Sequence, residues 1–150
     1  MLGLGSALIL LVASPASADS SGPIRPAPDS STTTPSAVEE YNQGLRLRAS
    51  KNWPSAVSAF RRATELRPAF PEAWNELGYS LRQQGKYSES VAAYDEALKL
   101  RPSYPEALEY LGEAYVKMRR LDDARRILER LRPLDAERAQ DLAEQIDKAP

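Results

Sequence analysis

The chain has 150 residues, 42% hydrophobic and 27% charged, a composition that suits one soluble globular domain. Lysine and arginine total 20 against 21 acidic residues, so no global basic field exists to hold nucleic acid or an anionic membrane surface. The absence of cysteine and histidine excludes thiol nucleophiles, disulfides, thiolate and imidazole metal ligands and the usual general base, which argues against an enzyme.

In chain order, Leu2 to Val12 form a short apolar run, followed by Ser14, Pro15 and the triplet Ala16-Ser17-Ala18, the small-residue pattern of a signal-peptidase site. Residues 1–18 are therefore expected to be a signal peptide cleaved after Ala18, and the mature protein to be exported to a bacterial periplasm. The run is shorter than the roughly 20 residues a transmembrane helix needs, so no stable membrane anchor is expected after cleavage. No cysteine follows it, which excludes lipoprotein processing. Residues 19–36 are dominated by Ser, Thr and Pro, with Ile24 as the one large aliphatic residue, and read as a disordered linker.

From residue 37 onward the sequence repeats itself. Arg67-Pro68-Ala69-Phe70-Pro71-Glu72-Ala73-Trp74 returns 34 residues later as Arg101-Pro102-Ser103-Tyr104-Pro105-Glu106-Ala107-Leu108. The same step aligns Gly44, Gly78 and Gly112; Leu47, Leu81 and Tyr115; Ala56, Ser90 and Ala124; and Phe60, Tyr94 and Leu128. Three copies result, over residues 37–70, 71–104 and 105–138. Within the middle copy, Leu77 and Leu81, then Tyr87, Val91, Tyr94 and Leu98, recur at helical spacing around Gln84-Gly85-Lys86, so each copy predicts two helices joined by a turn. Pro71 and Pro105 suit first helical turns, Pro68 and Pro102 stop the preceding helices, and Gly85 suits a left-handed C-cap. Glycine inside a helix costs ~1 kcal/mol relative to alanine. Gly44, Gly78 and Gly112 are therefore assigned to close helix approach, opposite small Ala56, Ser90 and Ala124, with Phe60, Tyr94 and Leu128 filling the adjoining space. After Pro133, Asp135 is placed to cap a last helix over about residues 135–148, whose stripe of Ala139, Leu142, Ala143 and Ile146 would close the array.

The middle copy, with Trp74, Leu77, Gly78, Leu81, Tyr94, Ala97 and Pro102 at the signature positions, resembles the tetratricopeptide-repeat family. The first copy has Glu40 and Gln43 where Trp74 and Leu77 stand, a polar substitution that fits a terminal repeat. The resemblance implies an all-α fold: an α-α superhelix, a solenoid of three helix pairs and a C-terminal capping helix. It also implies a protein-interaction module in which the first helix of each pair lines a concave groove for a peptide or a partner helix. On that basis the candidate protein-binding residues are Tyr41, Leu45 and Arg48; Asn75, Tyr79 and Arg82; and Glu109, Glu113 and Val116. Some family members grip a C-terminal carboxylate, but Tyr41 and Leu45 occupy the places where such a clamp would begin.

No catalytic, metal or cofactor residue is assigned. Glu106, Glu109 and Glu113 share one helix face but lack a ligand loop, and read as a solvated acidic face. Arg119-Arg120 and Arg125-Arg126 are interleaved with Asp122, Asp123 and Glu129 and read as intrahelical pairs. The partner is a protein or peptide, and the competing class is a scaffold that self-associates into a homo-oligomer within an envelope assembly.

Overall fold

A computed structural model describes residues 35–150, so the signal-peptide and most of the linker assignments lie outside the described residues. Among the described residues seven helices follow one another: α1 (Ala37–Ala49), α2 (Trp53–Leu66), α3 (Pro71–Gln83), α4 (Tyr87–Leu100), α5 (Pro105–Lys117), α6 (Leu121–Leu131) and α7 (Ala136–Asp147). No strand occurs among the described residues. The 34-residue period predicts the three helix pairs, and Asp135 with the stripe of Ala139, Leu142, Ala143 and Ile146 predicts the closing helix.

Local chemistry sets the boundaries. Ser36 and Glu39 form a reciprocal capping box that starts α1: the Ser36 side chain accepts from the Glu39 backbone N–H, and the Glu39 carboxylate accepts from the Ser36 N–H. Asn52 and Asp135 cap α2 and α7 in the same one-sided way, whereas α3 and α5 rely on proline at the first turn. Arg67 and Arg101 end α2 and α4 in extended backbone, the conformation that Pro68 and Pro102 impose on the residue before them.

Each pair packs on itself and each second helix packs on the next first helix, while α3 also touches both α1 and α5. The core divides into two clusters. One contains Ala56, Val57, Phe60, Leu77, Leu81 and Ala93; the other runs from Tyr94 and Leu98 through Leu108, Leu111 and Leu128 to Leu142. Trp74 is half-buried and packs against both, so it joins the first pair to the rest of the array, with its indole N–H donating to the Pro68 carbonyl at 2.8 Å.

The helical glycines are sites of close approach. A Cβ on Gly44 would stand 2.5 Å from the Phe60 ring, and one on Gly78 would stand 2.7 Å from the Tyr94 ring. The Ser90 hydroxyl crosses the same gap and donates to the Gly78 carbonyl at 2.8 Å. Gly112 departs from the expectation: Leu142 of α7, not Leu128, fills its space. The third pair has no ring at the Phe60 position, so α7 reaches in to supply the missing bulk.

Gly85 is left-handed at φ 73°, as its place before Lys86 predicts. Lys51 and Arg119, one repeat before and after it, adopt the same left-handed turn at φ 56° and 58°. The backbone pattern is thus held in all three copies, although glycine supplies it in only one.

Candidate functional site

Helices α1, α3 and α5 stand side by side, and their core-facing stripes are occupied by the second helices. On α3 the core-facing stripe is Ala73, Leu77, Gly78 and Leu81, and Asn75 and Ser80 are buried as well. Helical periodicity then gives the opposite stripe to Glu72, Asn75, Glu76, Tyr79 and Arg82. The corresponding stripe of α5 carries Glu106, Glu109, Tyr110, Glu113 and Val116, and that of α1 carries Tyr41, Leu45 and Arg48. This inner face is the candidate site.

Its central feature is a stack of rings and guanidinium groups that crosses all three pairs. The Tyr79 ring lies 5.9 Å from Trp53 and 5.3 Å from Tyr110. Arg48 sits 4.3 Å over the Tyr79 ring, and Arg82 lies 5.4 Å from Tyr79 and 5.2 Å from Tyr110. Both arginines are also ion-paired to the following pair, Arg48 with Glu76 at 3.2 Å and Arg82 with Glu113 at 2.5 Å. Glu113 in turn accepts from the Gln145 amide of α7 at 2.8 Å. Glu109, almost wholly buried, pairs with Arg138 of α7.

The nine candidate residues therefore fall into distinct settings. Arg48, Tyr79, Arg82 and Glu113 are brought together in the central network. Glu109 is a tie to α7. Tyr41 packs on the first core cluster, its ring 4.9 Å from Phe70 and 5.8 Å from Phe60, and Leu45 packs on the same cluster. Val116 rests against the second cluster. Asn75 is 1% exposed, and its side-chain oxygen has no hydrogen-bond donor among the described residues.

The face also contains groups outside that set of nine: Glu72, Glu76, Tyr104, Glu106 and Tyr110. Glu72 and Glu106 occupy the same position in successive copies, as do Glu76 and Tyr110, and the 34-residue step applied to the whole inner stripe identifies all four. Their electrostatics are shared. Burial pushes the Glu76 carboxyl above its ordinary range, Arg48 opposes this, and the nearby charge of Glu106 adds to it. Burial raises the Tyr41, Tyr104 and Tyr110 phenols, and neighbouring carboxylates raise them further: Glu76 and Glu72 for Tyr41, and Glu106 for Tyr104 and Tyr110. No group of carboxylates placed to hold a metal ion is present among the described residues.

Two tetratricopeptide-repeat family models match the sequence, one over residues 41–105 and the other over residues 81–146. The chain belongs to the tetratricopeptide-repeat family. Solved tetratricopeptide domains share its fold at low sequence identity. The first such domain of Spaghetti (RPAP3), bound to the HSP90 peptide SRMEEVD, is 18% identical with a TM-score of 0.71, over 75% of this chain and 91% of that one. The TPR2B domain of yeast Sti1 in its pHsp70 complex is 21% identical with a TM-score of 0.70, over 75% and 94%. A chain of the CopN–Scc3 complex is 23% identical with a TM-score of 0.66, over 72% and 67%. Among curated proteins no match is found. The tetratricopeptide assignment accounts for the Trp74, Gly78 and Tyr94 packing and for the inner stripes of α1, α3 and α5 forming one continuous face.

Proposed function

We propose that this chain is an exported tetratricopeptide module that holds a peptide, or an extended segment of a partner protein, on the inner face of α1, α3 and α5, and that it catalyses no reaction. The observation that carries the reading is the aromatic content of that face. Tyr41, Tyr79, Tyr104 and Tyr110 all stay partly exposed there, where rings with a polar edge bury large area on contact at small entropic cost. Export rests on the apolar run at Leu2 to Val12 and on Ala16-Ser17-Ala18.

Several relatives of this fold are complexed with chaperone peptides, among them SRMEEVD and SGPTIEEVD. Those peptides end in acidic residues. On the inner face here Arg48, Arg82, Arg101 and Arg138 are each already paired with a glutamate, Glu76, Glu113, Glu72 and Glu109 in turn, so an acidic tail would have to compete with these pairs, and a different peptide chemistry is implied. Self-association by end-to-end stacking has little support from the end faces. At the first pair Glu40 replaces the tryptophan and is covered by Arg62 at 2.9 Å, a polar end, and at the last pair α7 occupies the stacking surface.

Site-specific photo-crosslinking tests the reading. A photoreactive residue in place of Tyr104, on the inner face, should trap a partner in envelope fractions, and one in place of Glu129, on α6, should not. Equal trapping from both positions would refute the inner-face assignment. N-terminal sequencing of the recovered protein should begin at Asp19; a retained Met1 on cytoplasmic protein would refute export.

A further inference from the structure

The first two pairs enclose a groove on the side of their second helices. It has a volume of about 390 Å³ and lies between α2 and α4, and its floor is a single helical stripe of α3: Trp74, Leu77 and Leu81. Small side chains leave it open. On α2 the wall carries Thr64, whose hydroxyl is turned back onto the Arg61 carbonyl at 2.8 Å, and on α4 it carries Ala92 and Ala93. One repeat later Leu98, Arg126 and Ile127 hold these three places, and Leu98 and Ile127 are buried in the second core cluster. The bulk that occupies this position in the following pair is therefore missing here, and the half-buried Trp74 borders the open space.

The two ends of the groove differ in charge. At one end Arg61 of α2 reaches Glu89, in the first turn of α4, at 2.6 Å and bridges the walls. Toward the C-termini of α2 and α4 the walls carry Glu65 and Glu96, where the 34-residue step places Lys99 and Arg130 in the following pair. The sign is thus reversed. Glu96 is paired with Lys99. Glu65 lies exposed in the last turn of α2, which has no basic residue, whereas the last turns of α4 and α6 have Lys99 and Arg130. The cations nearest to Glu65 along the chain are engaged elsewhere, Arg62 with Glu40 at 2.9 Å and Arg67 at 4.8 Å over the Phe70 ring. An uncompensated carboxylate therefore stands at the carbonyl end of a helix, the end that favours a cation.

We propose that this groove is a second docking site, for a peptide segment of a partner protein that seats a bulky apolar side chain over Trp74 and Leu81 and sets an arginine or lysine against Glu65. The site is separate from the inner face, since its floor is the core-facing stripe of α3 and its walls are second helices. Shape and charge select the occupant together. The apolar floor favours a large hydrophobic side chain, and the Glu65 carboxylate favours a cationic neighbour over an acidic one.

The test uses three labelled peptides of one length, capped at both ends: one carrying leucine and arginine, one with serine in place of each leucine and one with glutamate in place of each arginine. Binding to the protein is followed by fluorescence anisotropy and located by amide proton–nitrogen correlation spectra. The leucine–arginine peptide is expected to bind and to shift Glu65, Ala92 and the Trp74 indole N–H, and the other two to bind at least about tenfold more weakly. Glu65→Lys, which copies Lys99, should weaken the first peptide by about tenfold, the scale of one charge-assisted hydrogen bond. Ala92→Arg, which copies Arg126, should block it, and Glu137→Lys on α7 should leave it unchanged. Thermal melts of the three variants should be no lower than the parent's, since all three positions are exposed. Equal binding of the three peptides, or equal effects of Glu65→Lys and Glu137→Lys, would overturn the site as nonspecific adhesion. Shifts that gather on Tyr79 and Tyr110 would overturn the groove and leave the inner-face reading standing. Groove shifts that appear with protein concentration alone would assign the groove to a second copy of the chain and overturn the peptide partner, and binding by none of the three would overturn the site outright.

Discussion

Leu142 of α7 lies against Gly112 of α5, so a side chain from outside the third pair completes that pair's packing. Leu142 is fully buried, and its removal would leave a cavity beside a residue that has no side chain to relax into it. Leu142→Ala should therefore destabilise the domain by about 2–5 kcal/mol, whereas Leu134→Ala, at an exposed turn leucine, should cost little. Urea titrations of the two variants decide this. Equal midpoints would mean that α7 is a dispensable appendage.

The left-handed turns at Lys51 and Arg119 carry a conformational cost that Gly85 avoids. Lys51→Gly and Arg119→Gly should each stabilise the fold by about 0.5–1 kcal/mol, and Gly85→Ala should destabilise it by about the same amount. A Cβ at Gly85 would meet nothing within 4 Å, so the loss there is one of backbone conformation and not of crowding. Thermal melts of the three single variants give the signs directly.

Trp74 has two roles that substitution can separate. Trp74→Phe keeps a ring between the two core clusters but exchanges the exposed hydrogen bond to the Pro68 carbonyl for one from water, a loss of at most about 1 kcal/mol. Trp74→Ala removes the ring as well and should cost about 3–5 kcal/mol. Denaturant midpoints in that order support a joint between the first pair and the rest; a Trp74→Ala protein that melts like the parent would contradict it.

Glu76 gives the domain a defined pH response. Its carboxyl is pushed above the ordinary value of 4.5, with burial outweighing the Arg48 ion pair. A carboxyl raised in the folded state favours folding while protonated, and that contribution is lost as pH rises through the folded value. Relative to Glu76→Gln, the parent should therefore gain stability as pH is lowered from neutral toward 4.5. Melts at matched ionic strength across that window test it. A gap that widens in the opposite direction would mean that the Arg48 pair dominates after all.

The period and the pairs are legible because glycine, proline and aromatic positions recur in register, and those residues act locally on backbone and close packing; the closing helix is legible from the Asp135 cap and its single apolar stripe. The partner of Gly112 is not given by the period, because the 34-residue step aligns Leu128 with Phe60 and Tyr94, while the space left by a smaller side chain is filled from whichever helix is near, here by Leu142. The left-handed turns at Lys51 and Arg119 carry no glycine to mark them in the sequence, since neighbouring contacts can impose φ on any residue. On the inner face, periodicity identified the stripe but not the division of labour within it. Whether Glu109 or Glu106 is free depends on the reach of Arg138 from another helix, a tertiary fact with no signature in the spacing.

Among the described residues, no helix touches another more than two places away in the chain. Such a molecule behaves as a short stack of coins, with its strength distributed over joints between neighbours. Pulled from its two ends, it would lengthen by parting one joint at a time, and a ligand lying across several pairs would act as a splint over the gaps.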